Sequence, residues 1–341
     1  MEDKYFSKLS PIMDYGAGAF LLLVAILTVI GNGAVLVAAV KKSSQLKPSE
    51  LLSVNLAITD LVAALTMYPL AIASAWNHGW LGGDTSCIYY GLMGFLCGVA
   101  SIMTLTAMAV VRLIITTSST ITANNINRRN IQISIVCIWL YALVWSIFPL
   151  SGWGEYGPEP IGTSCTIAWA EAHNSWNTSA FITVFFIICV ILPASTLTLC
   201  YSWIALKHYQ AYRNMKSNKR IFKTNKMQKK LTVMAVLVSV GFLGCWAPYA
   251  AISLWSVFHS SVNIPPTVSL LPCLFAKSST VYNPFIYYAF SSTFRKEIRE
   301  VKFCCIGQVQ VPIGDPARNQ PSVRWMKRNN VQIQPFQEEN Q

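Results

Sequence analysis

The chain has 341 residues, of which 53% are hydrophobic and only 12% are charged, and its mean hydropathy is +0.43. Soluble domains carry about 25% charged residues, so the composition excludes an ordinary soluble domain and favours a protein whose solvent is the lipid bilayer. The formal net charge is +12, and the basic residues that produce it lie almost entirely between and after the apolar runs.

Seven apolar runs are long enough to cross a bilayer as helices, which takes about 20 residues each. The third run is rich in Gly, Ser and Thr, which is typical of a buried helix whose backbone approaches its neighbours closely. The runs predict an all-α integral membrane protein with a bundle of seven transmembrane helices. They cover residues 17–40, 51–75, 88–113, 131–151, 180–206, 231–256 and 266–290.

The basic residues predict the orientation of the bundle. Apart from Lys4, Lys8, Lys277 and Arg112, the last of which lies at the cytoplasmic end of the third run, all of the 26 Lys and Arg residues lie in alternate loops and after the seventh run. The positive-inside rule then places the N-terminus outside the cell and the C-terminus in the cytosol, so the charge faces membrane lipid and a protein partner rather than nucleic acid. The predicted organisation is an extracellular tail (1–16), a membrane domain (17–290), an amphipathic helix (291–305) and a cytoplasmic tail without predicted structure (306–341).

The ten cysteines sort by predicted location. Only Cys87 and Cys165 lie on the predicted extracellular side, where disulfides persist, so we expect a bridge between the third segment and the loop after the fourth. Cys304 and Cys305 follow an amphipathic stretch and are predicted to be palmitoylated, with an unmodified pair as the alternative. The other six are expected to pack in helices. Asn177 begins an extracellular N-glycosylation sequon.

Polar residues and prolines interrupt several segments. Asp60 is the only acidic residue inside a predicted span, and such residues are functional by default, although a purely structural role is the alternative. Asn32 and Asn283 could share water molecules with it. Pro248 and Pro284 each remove a backbone hydrogen bond and can kink their helices. These features predict a bundle that can rearrange around a hydrated centre.

Lys277 lies within the seventh segment, and the chain has no acidic residue from Trp255 to Phe294. A charged lysine at the bilayer centre costs about 2.5–3.5 kcal/mol on insertion scales. A desolvated lysine is, however, a good nucleophile towards an aldehyde, with which it forms a Schiff base. We therefore expect covalent chemistry at Lys277, with a structural pairing to some carboxylate as the alternative.

Several motifs in separate segments resemble those of the rhodopsin-like G-protein-coupled receptors over residues 15–305. They are "GNGAV" with Asn32, "NLAITD" ending in Asp60, Trp139, Pro193 followed by Tyr201, "CWAPY", and Asn283-Pro284-Phe285-Ile286-Tyr287, together with the pair Cys87 and Cys165. A lysine six residues before the Asn-Pro-x-x-Tyr motif resembles the opsins, in which it binds retinaldehyde. The resemblance implies that Lys277 carries 11-cis or all-trans retinal.

A protonated Schiff base needs a negative counterion. Glu159 is the best candidate on the extracellular side because it precedes Cys165 by six residues, so the disulfide would hold it above the pocket. Many opsins carry a Glu at this place. Tyr90 stands where vertebrate visual pigments have a closer Glu, which resembles opsins with thermally stable photoproducts and implies bistability. The other acidic candidates are Glu2, Asp3, Asp14, Asp84, Glu155 and Glu171.

The resemblance also implies roles for further residues. The pocket wall is expected to contain Tyr90, Gly98, Trp246 and Tyr249. Activation is expected to involve Asp60, Asn32, Arg112, Tyr201, Phe242, Asn283, Pro284 and Tyr287. The strings "YGPEPIGTSCTIAW", "WAPYAAISLWSVF" and "LKPSELLSVNLA" are similar to the neuropsin (opsin-5) branch, which indicates a neuropsin-like, divergent opsin.

The third segment departs from the family pattern at its cytoplasmic end. The string "AVVRLII" has Arg112 in register, but Val111 replaces the usual acid and Leu113 the usual Tyr, and the start of the sixth segment offers Gln228 rather than a carboxylate. Arg112 must then find another partner. Two outcomes follow: activity in the dark, or weak coupling and a different use of the protein.

The predicted function is a light-sensing G-protein-coupled receptor of the plasma membrane, with a heterotrimeric G protein as partner and arrestin as a second one. A retinal photoisomerase with weak or no G-protein coupling is the alternative, and an ordinary chemoreceptor is disfavoured by Lys277. Otherwise the sequence predicts no enzyme, and it shows no metal cluster, catalytic triad or phosphate-binding loop.

Overall fold

The computed structural model describes residues 3–41, 46–117, 126–214, 219–259, 265–291 and 294–296. Long helices dominate because in a bilayer every backbone polar group must be satisfied within its own segment. The helices are α1 (Pro11–Lys41), α2 (Pro48–Thr66), α3 (Tyr68–Trp76), α4 (Gly83–Thr117), α5 (Arg128–Ile147), α6 (Trp176–Phe185), α7 (Leu192–Asn214), α8 (Lys219–Phe258) and α9 (Pro266–Phe290). Short 3₁₀ turns cover Asp3–Tyr5, Phe148–Ser151 and Trp169–Asn174.

Six stretches of helix in the described part of the chain are long and apolar enough to cross a membrane: Pro11–Lys41, Pro48–Trp76, Gly83–Thr117, Arg128–Ser151, Trp176–Ala211 and Gln228–Phe258. Each contains one of the first six predicted segments. The seventh segment is α9, whose 25 residues suffice in length and whose polar residues around Lys277 lower its hydropathy. The predicted seven-helix bundle is confirmed, and most helices extend beyond the apolar runs because their polar ends also satisfy the backbone.

Prolines account for the interruptions of two segments. The second segment divides into α2 and α3 at Met67, next to Pro69, which cannot donate a backbone hydrogen bond. The fifth divides into α6 and α7 through a π-helical turn, Phe186–Ile191, which ends two residues before Pro193. A π-turn shifts the hydrogen-bond register and so accommodates the missing donor. Pro248 and Pro284 lie inside α8 and α9, as predicted.

A short hairpin follows the fourth segment. Strands β1 (Tyr156–Pro158) and β2 (Cys165–Ile167) pair antiparallel, and the Glu159 amide donates to the Ser164 carbonyl at 2.8 Å in the turn between them. Cys165 is bonded to Cys87 near the start of α4, with a Cα–Cα distance of 5.3 Å. The predicted disulfide is confirmed. It ties the hairpin to α4, and we call this side of the molecule the disulfide end.

The first residues are part of the fold rather than a free tail. Residues 5–8, here the N-terminal strap, exchange backbone hydrogen bonds with two loops at the disulfide end. Trp80 N donates to Tyr5 O at 2.8 Å, Ser7 N donates to His78 O at 3.0 Å, and Lys8 N donates to Ile161 O at 3.2 Å. The strap therefore joins the turn after α3 to the hairpin that contains Glu159.

Close helix contacts depend on small residues at two points. A Cβ atom at Gly31 in α1 would lie 2.9 Å from the ring of Pro284 in α9. A Cβ atom at Gly91 in α4 would lie 2.7 Å from the ring of Tyr156 in the hairpin. Both distances are below normal van der Waals contact, so glycine at these positions permits the approach of α9 and of the hairpin.

Most of the predicted C-terminal features lie outside the described residues. These are the amphipathic helix 291–305 apart from Ser291 and 294–296, the pair Cys304 and Cys305, and the tail 306–341. Arg295 is described, and its guanidinium donates to Ala289 O at 2.9 Å. It thereby satisfies one of the carbonyls that the end of α9 leaves open.

Candidate ligand site inside the bundle

A cavity of about 560 Å³ lies within the bundle, in the size range of small-molecule sites. Its wall is largely apolar and aromatic, and it includes all of the predicted pocket residues together with Lys277 and Glu159. Residues of α2–α4, α6–α9, the π-turn and the hairpin contribute. Aromatic side chains on the wall are Tyr68, Tyr90, Phe95, Trp169, Phe181, Phe185, Phe186, Phe242, Trp246 and Tyr249.

Lys277 presents its amine to this cavity from α9. The Nζ atom donates to Cys273 Sγ at 2.7 Å and to Ser164 Oγ at 3.3 Å, and it lies 5.8 Å from the centroid of the Tyr90 ring. Within the described ranges no carboxylate oxygen lies within 4.0 Å of Nζ; the ion pairs found there are Lys4–Asp84 and His78–Asp14. In the described part of the chain, Lys277 is therefore not paired with a carboxylate, which was the structural alternative.

Glu159 lines the same cavity and is 6% exposed. Its Oε1 atom accepts a hydrogen bond from the Tyr249 hydroxyl at 2.6 Å, and the Tyr249 hydroxyl accepts one from Trp169 Nε1 at 3.0 Å. The carboxylate is thus held by α8, the helix that contains Tyr249. The structure brings Glu159 and Lys277 to one cavity without a direct ion pair.

Trp246 and Gly98 are neighbours on the cavity wall. A Cβ atom at Gly98 would lie 3.5 Å from the Trp246 ring, which is ordinary contact. The Trp246 indole donates to Ser279 Oγ at 3.2 Å, and its ring lies 5.8 Å from the ring of Phe242, the predicted relay, and 6.1 Å from that of Tyr249. Three of the four predicted wall residues, Gly98, Trp246 and Tyr249, are therefore close together, and the fourth, Tyr90, lines the same cavity.

Tyr90 is buried, and its hydroxyl makes no hydrogen bond of standard geometry to any described residue, although Ser164 lies beside it. Its ring stacks edge-on against Trp80 at 5.0 Å. A buried hydroxyl without a partner is uncommon in proteins. The Tyr90 hydroxyl and the Lys277 amine are therefore two polar groups on the cavity wall that can hydrogen-bond to a ligand.

The hairpin closes the cavity and is itself fixed by a tyrosine. The Tyr156 hydroxyl donates to Ser146 O at 3.0 Å. Burial raises the pKa of Tyr156, so the hydroxyl remains protonated and remains a donor at neutral pH. The hairpin is thus attached to α5 through Tyr156 as well as to α4 through the disulfide.

The polar centre of the bundle is held by direct hydrogen bonds of Asn283 and Asn32. Asn283 Nδ2 donates to Asp60 Oδ2 at 2.9 Å, so these two residues form a direct contact. Asn32 instead donates to the carbonyls of Thr28 and Thr280, at 3.1 and 3.0 Å. Asn32 thus joins α1 to α9 through the carbonyl of Thr280.

At the end opposite the disulfide, Arg112 is 8% exposed and has no ion pair within the part of the chain that the structure describes. Tyr201 in α7 lies nearby, and its hydroxyl is 3.3 Å from Ser239 Oγ in α8. Tyr287 packs with Val111 and Leu105 in the core at this end. Of the predicted activation residues, Asp60 and Phe242 line the cavity, and Phe242, Tyr201 and Tyr287 belong to one apolar cluster.

Sequence reasoning missed three residues of the site. The Tyr68 hydroxyl donates to Lys277 O at 2.7 Å, and Ser164 and Cys273 are the partners of the Lys277 amine. Cys273 was expected only to pack, and its spacing of four residues from Lys277 was the signal that placed both on one helix face. Nothing in the sequence singles out Tyr68.

Asn177, the predicted glycosylation residue, lies in the first turn of α6 at the disulfide end. Its side-chain amide donates to Gly152 O at 2.7 Å. Its position at the end of a helix, outside the cavity, is compatible with a surface modification.

Comparison with known proteins gives a consistent set of similarities. The profile of the family described as 7 transmembrane receptor (rhodopsin family) matches residues 31–287. Opsin-5 of Mus musculus is 36% identical over 287 residues, 84% of this chain and 76% of that protein. Opsin-5 of Homo sapiens is 35% identical over 304 residues, 89% of this chain and 83% of that protein. The crystal structure of squid rhodopsin superposes with a TM-score of 0.80 at 25% identity and covers 92% of both chains.

Proposed function

The chain belongs to the rhodopsin family of seven-transmembrane receptors and, within it, to the neuropsin-like opsins, and on that premise we propose that it binds retinal at Lys277 and activates a G protein in response to light. The predicted resemblance to the opsin-5 branch is confirmed. The observation that carries the proposal is the amine of Lys277 in a largely apolar cavity that is lined in part by aromatic rings.

The residues of the cavity fit retinal. Retinal is an elongated apolar molecule with an aldehyde at one end, and the wall offers aromatic rings, one lysine amine and the partnerless hydroxyl of Tyr90. When bound, retinal would supply light absorption and a light-driven change of shape. Lys277 would hold it covalently, while Trp246, Tyr249 and the hairpin orient it and exclude water.

Glu159 is proposed as the counterion of a protonated nitrogen at Lys277. A buried cation in an apolar cavity loses its proton unless a negative charge or hydrogen-bond acceptors stabilise it. Glu159 is the acidic residue that the hairpin contributes to the cavity wall, and Tyr249 donates a hydrogen bond to its carboxylate. Asp60 also borders the cavity, but Asn283 engages it directly. A counterion in the hairpin supports the proposal of a bistable pigment.

The predicted activation residues are proposed to carry the light-driven change of shape from the cavity to the end of the bundle that binds the G protein. Trp246 touches the cavity and contacts both Ser279 in α9 and Phe242 in α8. A shift of Trp246 would change the packing of these two helices together, and Pro248 and Pro284 give each of them a weak point for bending. Asp60 and Asn283 then connect α9 to α2.

We propose that the disulfide end faces outside the cell and that the basic loops face the cytosol, in the plasma membrane. On this orientation Asn177 is available for glycosylation, and Cys304 and Cys305 for palmitoylation beside membrane lipid. The basic surface is proposed to bind a heterotrimeric G protein, and arrestin as a second partner.

A retinal photoisomerase is the second candidate function, and the surroundings of Arg112 favour it. Val111 provides no charge, and Arg112 has no ion pair among the described residues. Coupling that depends on this arginine would then be weak. Release of isomerised retinal in each light cycle would support the isomerase, whereas stable retention with nucleotide exchange on a G protein would support the receptor.

The first test is absorption spectroscopy of the purified protein with added retinal isomers, before and after illumination, beside Lys277→Ala. We expect a band that requires Lys277 and shifts reversibly in light. Absence of any Lys277-dependent band with every isomer would overturn the proposal. Cell-based G-protein activation by the same preparation then separates the receptor from the isomerase.

A further inference from the structure

The shortest polar contact of the Lys277 amine is to a thiol. Cys273 Sγ lies 2.7 Å from Nζ, closer than Ser164 Oγ at 3.3 Å. Cys273 and Lys277 are four residues apart in α9, so both side chains leave the helix on the same face. Both line the cavity, and Cys273 is 3% exposed.

No carboxylate replaces this contact. Within the described ranges, no acidic oxygen lies within 4.0 Å of the amine, and Glu159 Oε1 already accepts from the Tyr249 hydroxyl. Cys273, Lys277 and Glu159 all line the same cavity. Of these side chains, the thiol is the one that contacts the amine directly.

A protonated amine in an apolar cavity needs acceptors, because burying a charge costs free energy unless it is hydrogen-bonded. A thiol sulfur is a weak acceptor but a real one, and here the amine donates to it. Without Cys273, Ser164 would be the only remaining hydrogen-bond acceptor for this amine in the described part of the chain.

From this geometry we infer that Cys273 is a positioning residue: its sulfur accepts a hydrogen bond from Lys277, directs the amine into the cavity and helps to keep it charged where no carboxylate touches it. The inference rests on the proposed role of Lys277 as the retinal anchor. It assigns Cys273 a function that the other buried cysteines do not have.

Cys189 offers a matched control. It is fully buried, lines the same cavity and contacts a neutral partner, the Tyr141 hydroxyl at 3.3 Å, rather than a cation. If Cys273 only packs, Cys273→Ala and Cys189→Ala should change the protein in the same way. If it positions the amine, only Cys273→Ala should affect Lys277, and Cys273→Ser should restore the wild-type behaviour because a hydroxyl also accepts.

The first experiment uses the full-length protein without retinal. Lys277 is methylated with formaldehyde and a borohydride reductant at neutral pH, and its modification is followed by mass spectrometry. Because loss of the sulfur favours the neutral, reactive amine, we expect methylation several-fold faster in Cys273→Ala. The rate should be unchanged in Cys273→Ser and Cys189→Ala. Equal rates in all four proteins would overturn the inference.

The second experiment uses the pigment formed with retinal, whose visible band is titrated with pH. The midpoint at which the band is lost should fall by about one pH unit in Cys273→Ala, as loss of one hydrogen bond to a charged group implies, and stay near wild type in Cys273→Ser. Equal midpoints in both variants would contradict the inference. If the wild type forms no Lys277-dependent band but the methylation rates differ, the proposed function fails and the positioning role stands.

Discussion

At the disulfide end of the bundle, the hairpin of Glu159 is fixed by a covalent bond and by hydrogen bonds, whereas at the opposite end Arg112 is buried without an ion pair in the described part of the chain. At the first end, the N-terminal strap and Tyr156 also hold the hairpin in place. At the second, the described polar links between α7 and α8 are long contacts, Tyr201 to Ser239 at 3.3 Å and His208 to Thr232 at 3.5 Å.

The difference shows how one bundle can combine a rigid site with a mobile surface. A covalently bound ligand needs a pocket that stays closed and keeps its charges aligned, so many constraints are useful there. A surface that must open towards a partner needs a small energy gap between two states, which few and weak contacts provide. Variants that each alter one constraint should therefore differ in effect, with the largest at the disulfide and the smallest at the contact between α7 and α8.

Removal of the disulfide should have the largest effect. The double variant Cys87→Ser/Cys165→Ser should lose about 2–5 kcal/mol of stability and release the hairpin, which we expect to abolish retention of a ligand at Lys277. Thermal unfolding in detergent measures the first effect and the Lys277-dependent absorption band the second. Cys137→Ser, a free and exposed cysteine, is the control; an equally stable double variant would show that the disulfide end does not depend on this bond.

Neutralisation of Glu159 should be next in size. In Glu159→Gln the positive charge at Lys277 loses its nearest proposed negative partner, so the pH midpoint of the visible band should fall by about one to two units, as loss of about 1.5–3 kcal/mol implies. Glu155→Gln is the matched control because Glu155 is in the same loop and exposed. An unchanged midpoint in Glu159→Gln would exclude Glu159 as counterion.

Restoring the family pattern should make the opposite end more rigid. In Val111→Asp/Leu113→Tyr the new carboxylate can pair with Arg112, which we expect to lower G-protein activation in the dark about fivefold, the effect of about 1 kcal/mol. Nucleotide exchange before and after light measures it, with Leu113→Tyr alone as control. If neither the wild type nor the restored variant responds to light although the pigment forms, the receptor proposal is wrong.

The smallest effect is expected at the contact between α7 and α8. Ser239→Ala removes the partner of the Tyr201 hydroxyl, a hydrogen bond worth about 1 kcal/mol, and should raise activity in the dark by a few-fold. Thr198→Ala is the control, because this exposed hydroxyl bonds only to Ala194 O of its own helix. Lower activity in Ser239→Ala than in the control would mean that the contact belongs to the active state.

Much of the fold could be predicted because the bilayer imposes it. Runs of apolar residues long enough to span must be helical, so all seven segments were found, although most of their ends were placed too far inside. The break at Met67 and the π-turn before Pro193 were not predicted, since the position of a proline does not by itself show how the neighbouring backbone re-forms its hydrogen bonds. The N-terminal strap was also missed, because its backbone contacts involve loops that are distant in the sequence.

The candidate site, like the fold, could be predicted from the sequence only in part. Lys277 was identified because a charge is expensive inside an apolar segment, and the pair Cys87 and Cys165 because only these two cysteines lie on the predicted extracellular side. The disulfide between them is confirmed. The roles of Glu159, Trp246 and the activation residues stay predictions. The sequence did not indicate that Tyr249 would bind Glu159, or that Asn32 would bond to Thr280 O rather than approach Asp60.

The sequence by itself determined that this protein is a membrane bundle with one buried amine and one disulfide, because hydropathy, charge and cysteine location act along the chain and need no knowledge of neighbours. Only the tertiary structure decided what the amine touches. Hydrogen bonds act over about 3 Å, and the residues within that distance of Lys277 come from α9 itself and from a hairpin more than a hundred positions away. The thiol contact of Cys273 and the separation of Glu159 from the amine are therefore products of the packing of the hairpin onto the helices.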